Sequence, residues 1–527
     1  MTPRTDVTDI AKASTPSSGG QLVPAYRHAT DPDVLKQWAD LTGDGYGNRL
    51  NNYTLFDDYY SGKHRAKLNA RAAAYLKLTH IDFAENVCDV VVDSAAERME
   101  VTGFVTNLEA DIDVEEPRPI TDALAQVWED QKLDVKQGDV HTGVRKLGDW
   151  FVLVDVDPDT RLPRITSNHP GKLRPIYHAE RPDELVAVVK RWDCSDVSPT
   201  NPSGRRIRRL NLYFDDRVEK YFQLAESSLE STWAQHVDEG DVSWPVPWTV
   251  DGTPGGKPRG IPVVHFRNKS KGQPYGVSDL LKVIPQQDQL NKHILDLNDI
   301  VDYQAWPQRW GTGIANDEVG RLNNHPGEFW AASAVDAKFG AFPAADLSQM
   351  QGVIESDLQR IAGLTRTPIR FLVLAQQPPS GEAIRAGDAG LVGKVRDAQP
   401  ATGHGWEQVL LLCARILADE GHLQVADDVL AKLRVTVAWR DAEARGDKSD
   451  WEVAGAQQAA GVSVETTLRE RGYDPVAEAK RREQEAEALQ DRSMRAKNRG
   501  LGMDALDPAT LDTPTATAPV TPAPVPS

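Results

Sequence analysis

Residues 288–303, DQLNKHILDLNDIVDY, are the stretch that says most about the fold. Their apolar side chains recur at intervals of three and four residues, which places them on one face of a helix. These apolar residues are Leu290, Ile294, Leu297 and Val301. The opposite face is polar and mostly acidic, and consists of Asp288, Lys292, Asp296, Asp299 and Tyr303. A helix of roughly 25 to 30 Å is therefore predicted, with one face packed on a neighbour and an acidic face directed to solvent or a channel.

The chain downstream of this helix alternates between excursions and helices. From Ala305 to Pro343 it is rich in Trp, Pro and Gly, and a hairpin-like excursion is predicted. A second amphipathic helix follows, with its last apolar residue at Ile361 and its end at Gly363. The next segment, TRTPIRFLVLAQQPPSG (365–381), is interrupted by proline and glycine, and is predicted to be a loop.

A long helix is predicted after this loop, from Ser380 to about Leu417, with an interruption near Pro400. It contains three glycines, each of which costs about 1 kcal/mol relative to alanine in an isolated helix. These are Gly387, Gly390 and Gly393. Their presence indicates either close approach of another helix or bending. Residues 450–498 are polar, carry mixed charges and are also predicted to be helical.

The chain upstream predicts helices followed by antiparallel strands. Two helices are expected between residues 71 and 99, and one between residues 121 and 143. Short runs of β-forming residues fill 151–266, separated by turn signals such as NPSG at 201–204. Residues 244–260 are dense in Pro and Gly, and an irregular surface excursion is expected there.

The composition is that of a large soluble protein with an acidic surface. The 527 residues include 60 Lys and Arg against 78 Asp and Glu, a net charge of −18, which argues against a general nucleic-acid binder. Cys88, Cys194 and Cys413 lie far apart and indicate neither a disulfide framework nor a structural zinc site. No signal peptide or membrane-spanning stretch is evident.

The common catalytic motifs are missing. The sequence contains no GxxxxGK[ST] phosphate loop, no HExxH and no GxSxG. GDGYG at 43–47 lacks a preceding apolar strand, so a turn is the simpler interpretation. Asp296, Asp299 and Asp302 could form a cation site, but a solvated acidic face is the simpler explanation. The basic run RRIRR at 205–209 could touch phosphates, although an exposed hairpin turn explains it better.

Seven segments in a fixed order resemble the portal proteins of long-tailed, double-stranded DNA bacteriophages. The resemblance covers the chain from about Tyr53 to about Trp439. The segments are YYSGKHR at Tyr59, NVCDVVVDSAAERMEVTGF at Asn86, LGDWFVLVDVD at Leu147, YGVSDLLKVIPQQDQLNKHILDL at Tyr275, AWPQRWGTG at Ala305, IAGLTRTP at Ile361 and PPSGEAIRAGDAGL at Pro378. Each segment is short, and the resemblance depends on their common order.

The resemblance implies an α+β subunit that assembles into a ring, usually of twelve copies, at one vertex of a capsid. It implies no catalytic residue, metal or cofactor, because portals are not enzymes. The implied segments are a flexible N-terminal segment (1–44), an α/β wing (45–275), a stem helix (276–305), a clip (306–346), a second stem helix (347–363), a tunnel loop (364–381), a long kinked helix with a return to the wing (382–440), a helical crown (441–500) and a disordered Pro/Thr/Ala tail (501–527).

Four groups of functional residues are expected from this resemblance and from the helical pattern. The residues expected to face the channel are Asp288, Asp296 and Asp299. Those expected to pack between subunits are Leu290, Ile294, Leu297 and Val301. The tunnel-loop candidates, whose uncharged groups would touch phosphates without holding them tightly, are Gln376, Gln377 and Ser380. The clip candidates for a partner surface or for subunit packing are Trp306, Trp310 and Trp330.

The implied function is a DNA channel through which a terminase packages the genome and through which the genome is later ejected. The implied partners are further copies of the chain, the terminase large subunit, the major capsid and scaffolding proteins, a head-completion or adaptor protein, and double-stranded DNA bound without sequence specificity. No membrane partner is expected, and the implied location is the capsid vertex of the virion, with assembly in the host cytoplasm. An acidic wall suits this role, because a basic bore would hold DNA through many phosphate contacts. Two alternatives stay open: a phage-encoded nuclease or hydrolase, and a capsid or connector protein of another fold.

Overall fold

A computed structural model gives the architecture of the chain. It describes residues 46–64, 66–67, 80–81, 85–107, 119–178, 180–181, 184–198, 201–226, 232–238, 243–270, 273–305, 309–314, 336–341, 346–373, 380–443 and scattered positions between 454 and 486. Two compact units are distinguished, residues 1–444 and 445–527. In the second unit, residues 454–459 are helical. All elements named below belong to the first unit.

Helices and strands alternate along the first unit. The helices are α1 (Tyr46–Tyr60), α2 (Cys88–Ala96), α3 (Pro119–Asp130), α4 (Leu133–Leu147), α5 (Ile284–Ala305), α6 (Leu347–Thr365), α7 (Gly381–Asp419) and α8 (Asp427–Lys432). Short 3₁₀ turns lie at Pro170–Lys172, Asp279–Lys282 and Ile369–Phe371. The strands are β1 (Ala66–Lys67), β2 (His80–Ile81), β3 (Val101–Thr106), β4 (Asp149–Val156), β5 (Pro163–Asn168), β6 (Leu173–Tyr177), β7 (Leu185–Ser198), β8 (Asn201–Tyr213), β9 (Arg217–Leu224), β10 (Ala234–Gln235), β11 (Val246–Pro247), β12 (Val263–Arg267), β13 (Arg309–Thr312), β14 (Lys338–Ala341) and β15 (Val435–Trp439). The α+β class expected from the sequence is confirmed.

The strands form several antiparallel sheets. The largest has the order β10-β9-β8-β7-β6, with β11 also paired to β9. A second has the order β12-β4-β5, so the predicted strand region divides between two sheets. The late strand β15 returns to pair with β3, which closes a loop of more than three hundred residues. The chain therefore completes this part of its fold only after the α5 to α7 region has been made.

Two large apolar clusters occupy the interior. The first packs α3, α4 and the second half of α7 on the β12-β4-β5 sheet, with Trp406 fully buried among them. The second packs α1, α2 and the first half of α5 against the largest sheet, with Leu290 at its edge toward α6. The helix predicted at residues 288–303 thus begins inside a core, as its apolar face requires.

Several local predictions are wrong in informative ways. The single helix expected between residues 121 and 143 is divided at Lys132, whose φ of +53° is left-handed and cannot continue a helix. The turn expected at 201–204 belongs to β8, because Ser198 already pairs with Asn201. The excursion at 244–260 is not confined to the surface, since Trp248 is buried in the first cluster.

The helix predictions near residues 71–99 and 363 also need correction. Only α2 lies in the described part of residues 71–99, and Ile81, expected to be helical, pairs with Ala66 in a short β-ladder. Residues 71–79 lie outside the described residues. The helix expected to end at Gly363 continues to Thr365, and Arg366 ends it with a left-handed φ of +57°.

The long helix α7 differs from its prediction at its proline and at its glycines. It continues through Pro400, which is exposed, so water can solvate the carbonyl that loses its intrahelical partner. A Cβ atom added at Gly387 or Gly393 would meet no neighbour within 4 Å. The close approach is found instead at Gly405, where a Cβ would lie 2.5 Å from the ring of Phe266. Position 405 therefore requires glycine for packing on β12.

Candidate functional site

Helices α5 and α6 lie side by side, and they form the region in which a channel wall is predicted from the sequence. Leu290 and Ile361 are fully buried in the second apolar cluster. Ile294, Ile354 and Leu358 are half-buried against the same cluster. The helical periodicity predicted both helices and their apolar faces correctly, and these faces hold the pair together.

A buried polar contact also joins the two helices. The Nδ1 atom of His293 in α5 lies 2.6 Å from Oδ2 of Asp357 in α6, and the Asp357 side chain is only 3% exposed. Arg360 donates from Nη1 to the other carboxylate oxygen of Asp357 at 3.1 Å. Sequence reasoning missed this contact, because the partners are 64 residues apart and no local pattern connects them.

The three acidic residues predicted to face a channel have different surroundings in the single chain. Asp288 accepts a hydrogen bond from the Tyr59 hydroxyl of α1 at 2.5 Å. Burial and this neighbouring carboxylate raise the pKa of Tyr59. Asp296 is half-buried and Asp299 is exposed. The side chain of Asp302 lies outside the described residues.

The apolar face of α5 becomes progressively more exposed along the helix. Leu290 is 0% exposed, whereas Val301 near the other end is 44% exposed. Ile294 and Leu297 are half-buried. Leu290 has no free surface in the single chain, so the outer half of the helix retains the apolar area that a neighbour could cover.

The expected excursion between the helices contains an antiparallel β-pair. Strand β13 pairs with β14, and Trp310 lies opposite Gly340. A Cβ added at Gly340 would be 2.6 Å from the Trp310 ring, so glycine makes room for the indole. Trp310 and Phe339 nevertheless stay 40% and 39% exposed. Trp306 and Trp330 lie outside the described residues.

The tunnel-loop candidates are only partly described. Gln376 and Gln377 lie outside the described residues. Ser380 is the N-cap of α7, and its hydroxyl accepts from the backbone N–H of Ala383 at 3.3 Å. This is the preferred role of serine at the start of a helix.

Near the start of α5, two segments that are distant in sequence meet. Asp149 is fully buried and accepts from Arg49 at 2.8 Å and from the hydroxyl of Tyr53 at 2.7 Å. Its other oxygen accepts from the backbone N–H of Gly276 at 2.6 Å and lies 3.0 Å from His265 Nε2. Burial alone would raise the pKa of Asp149, but these hydrogen bonds and the charges of His265 and Arg49 lower it.

Two glycines make this meeting possible. A Cβ at Gly276 would lie 1.9 Å from the carbonyl oxygen of Gly148, and Gly148 itself has a φ of +90°. Both belong to segments that carry the family resemblance, LGDW and YGVSD. Their presence in those segments was the available sequence signal for this junction, although the pairing could not be read from it.

A second buried charge cluster surrounds Asp279, in the 3₁₀ turn before α5. Lys269 Nζ lies 2.6 Å, Lys394 Nζ 3.1 Å and Arg145 Nε 3.5 Å from its carboxylate oxygens. Burial alone would raise the pKa of Asp279, but the three cations lower it. Burial lowers the pKa of Lys394 to about 8, although Asp279 opposes this shift. The segment that leads into α5, residues 276–282, is here called the foot of α5. It is held by two buried carboxylates, those of Asp149 and Asp279.

The other candidate sites do not assemble in the described residues. Arg206 and Arg208 of the basic run pair with Asp193 across the β7–β8 hairpin, and Arg209 pairs with Asp238. Among the described residues, no group of three or more His, Cys, Asp or Glu side chains could hold a metal ion. No helix in the described part of the chain is both long enough and apolar enough to cross a membrane.

Comparisons with known proteins connect this arrangement to a family. The family described as "Phage portal protein, SPP1 Gp6-like" matches residues 43–495. The chain belongs to the phage portal protein family. Its sequence is 23% identical over 436 residues to the portal protein of Mycobacterium phage D29, covering 80% of this chain and 81% of the relative. It is 25% identical over 438 residues to the portal protein of Mycobacterium phage L5, covering 80% of each.

Family membership confirms the resemblance inferred from the seven segments and gives the general function. Phage portal proteins sit at the capsid vertex, and the role as a DNA channel follows from the family. The family is structural and not enzymatic. It implies a homo-oligomeric ring that associates with the capsid and the terminase.

Proposed function

We propose that this chain forms a ring, usually of twelve copies in such proteins, whose channel is bordered by α5 and α6. The observation that carries the proposal is the uneven exposure of α5, whose foot is buried in its own chain while its outer half presents Asp299 and Val301 to solvent. In this arrangement α5 and α6 are the stem, β13 and β14 belong to the clip, and residues 45–275 form the wing.

Acidic residues on the stem favour passage of DNA over its retention. Asp296 and Asp299 would face the channel, whereas the bond from Tyr59 directs Asp288 toward α1 of its own wing. Phosphates are repelled by carboxylates, and few counterions would be released on contact, so binding stays weak. Gln376 and Gln377 in the tunnel loop would touch the backbone of DNA without a charge.

Neighbouring copies are the proposed cover for the exposed apolar side chains of the outer stem and clip. An isolated two-stranded ladder is marginal in water, and the β13–β14 pair carries exposed Trp310 and Phe339. Apolar packing by an adjacent subunit at Leu297 and Val301 would supply the missing contacts. Trp306 and Trp330 would complete the clip surface, to which a head-completion or adaptor protein binds.

The remaining partners are assigned through the family. The terminase large subunit would use the ring as its docking platform during packaging, and the major capsid and scaffolding proteins would surround the wing. Assembly of these parts would take place in the host cytoplasm, before the finished ring is part of the virion.

Electron microscopy of the purified full-length chain tests the proposal. Rings with a central hole are expected, and maleimide labelling of Asp299→Cys rings should fall when double-stranded DNA fills the channel. The matched control is Glu129→Cys, an exposed acidic position in α3, which belongs to the wing and not to the proposed channel. Labelling of Asp299→Cys that DNA never affects would contradict the channel assignment, and a monomer that cleaves DNA with a metal would favour the enzyme alternative.

A further inference from the structure

The long helix α7 is attached by ion pairs of opposite polarity to the two 3₁₀ turns that flank the proposed stem helices. Asp388 of α7 bonds to Arg370, which follows α6. Lys394 of α7 lies 3.1 Å from Asp279, which precedes α5. The negative and the positive group on α7 are separated by about 9 Å along the helix axis.

The Asp388 end of this attachment is a carboxylate held by two arginines. Arg370 Nη2 donates to Oδ2 at 2.8 Å and its Nη1 donates to Oδ1, a bidentate contact. Arg98 Nη2 donates to Oδ2 at 2.9 Å. Burial alone would raise the pKa of Asp388, but the hydrogen bonds from both arginines lower it, so the carboxylate stays charged at neutral pH.

The Lys394 end is more deeply buried. The Lys394 side chain is enclosed, and its Nζ lies 3.4 Å from the carbonyl oxygen of Val91 in α2 as well as close to Asp279. Beside these charged groups, Leu391 and Val395 are fully buried in one apolar cluster with Ala95 of α2. Apolar packing of this kind tolerates small shifts along a helix, whereas two opposite pairs are both satisfied in a single register.

We propose that Asp388 and Lys394 are positioning residues that set the register of α7 relative to the turn that follows α6 and the turn that precedes α5. Because α7 begins where the predicted tunnel loop (364–381) ends, its register fixes the point from which the C-terminal end of that loop leaves the wall of the channel. The proposal rests on the proposed function, in which α5 and α6 border the channel. It assigns to these two side chains an effect on DNA movement beyond their effect on stability.

Variants of the Asp388 pair test this assignment in phage complementation, with the DNA content of heads as the readout. Arg370→Gln removes the pair but leaves Asp388 bonded to Arg98, so the chain is expected to fold and form rings. The matched control is Asp397→Asn, since Asp397 joins the same two elements through Arg366 at 3.5 Å but both side chains are more than half exposed. We expect packaged DNA to fall by about fivefold or more for Arg370→Gln, and to change by less than about twofold for the control.

A second series separates positioning from simple destabilisation. Asp388→Asn and Asp388→Glu are compared for ring formation, thermal midpoint and packaged DNA. Positioning is supported if Asp388→Glu restores packaging while its thermal midpoint stays equal to that of Asp388→Asn. It would be overturned if the amount of packaged DNA followed the thermal midpoint across all variants. Normal packaging by Arg370→Gln rings would also overturn it. Wild-type rings that support no packaging would instead reject the proposed function itself.

Discussion

The two ends of α5 have opposite surroundings within the same chain. At the start, Asp149 and Asp279 are buried and bonded to groups from four other parts of the sequence. At the far end, Val301 is largely open to solvent, and the following β-pair exposes Trp310. One end is complete in a single chain, and the other is not.

This difference separates an end whose charged groups have their partners within the chain from an end that leaves apolar side chains exposed. Buried charges are costly unless other charges and hydrogen bonds compensate them, and Asp149 and Asp279 both find such groups within the one chain. Exposed apolar groups at the far end gain free energy only when another surface covers them. Predictions that affect the two ends differently therefore test the comparison.

The largest effect is expected at the glycine contact beside the foot. Gly276→Val would place side-chain carbon against the carbonyl of Gly148, where only 1.9 Å is available for a Cβ. We expect the free energy of unfolding to fall by more than about 5 kcal/mol, or the chain to be insoluble. Chemical denaturation measures this. Gly387→Ala, at a helical glycine with nothing within 4 Å, is the control and should change stability by less than about 1 kcal/mol.

The next largest effect on stability is expected when the buried carboxylate of Asp149 is removed. Asp149→Ala removes the buried carboxylate that Arg49, Tyr53, His265 and the Gly276 N–H share, and we expect a loss of about 3 to 5 kcal/mol in the free energy of unfolding. Asp299→Ala, in the exposed outer half of α5, should lower the free energy of unfolding by less than about 0.5 kcal/mol. Equal losses for the two variants would show that the ends of α5 do not differ as described.

The first apolar cluster, which contains Trp406, is expected to lose stability in mild acid. His141 is fully buried, its Nδ1 lies 2.7 Å from the Met99 carbonyl oxygen, and its Nε2 accepts from the indole N–H of Trp406 at 2.9 Å. Burial lowers the pKa of His141 from 6.5 to about 4. The unfolded chain therefore binds more protons, and stability is lost as the pH falls from 6.5 toward 4, by roughly 3 kcal/mol in total.

Denaturation at several pH values between 7 and 4 measures this loss. The control is His141→Gln, which keeps hydrogen-bonding atoms but cannot titrate, so its stability should vary less over the same range. A variant that keeps the full slope of the wild type would assign the acid sensitivity to other groups.

The smallest effect on the isolated chain is expected at the outer end. Val301→Ser and Trp310→Ser remove apolar groups that are already exposed, so the free energy of unfolding of one chain should change by less than about 0.5 kcal/mol. The rings, in contrast, should dissociate at lower urea concentration, as measured by size-exclusion chromatography. Rings as resistant as the wild type would show that no neighbour covers these residues.

The sequence predicted those features that depend on local periodicity. The apolar positions of α5 and α6 and the β-rich runs from residue 151 were recognised because their spacing repeats within one element. The hairpin-like excursion that contains the β13–β14 pair was predicted from the Trp, Pro and Gly content of the segment after Ala305. The continuity of α7 through Pro400 could not be predicted, because it depends on solvent reaching one carbonyl.

The partners of buried charges were not predictable from one sequence. Asp149 and Gly276 are 127 residues apart, and Lys394 and Asp279 come from separate helical regions. A buried carboxylate and an exposed one look identical in a list of residues, and only the fold distinguishes Asp279 from Asp299. The same holds for glycines, since Gly405 is packed and Gly387 is not.

The contact between Gly148 and Gly276 has a consequence for how such proteins can diverge. The space between the two backbones is fixed by the carbonyl of one and the α-carbon of the other, so a side chain gained at position 276 cannot be compensated by any change at position 148, which is already glycine. Loops within the 127 intervening residues can lengthen or shorten without affecting this contact, as long as Asp149 still accepts from Gly276. In distant relatives we expect the two glycines to persist while their separation along the chain drifts, so that the pair marks the segment before α5 where overall identity is too low to align it.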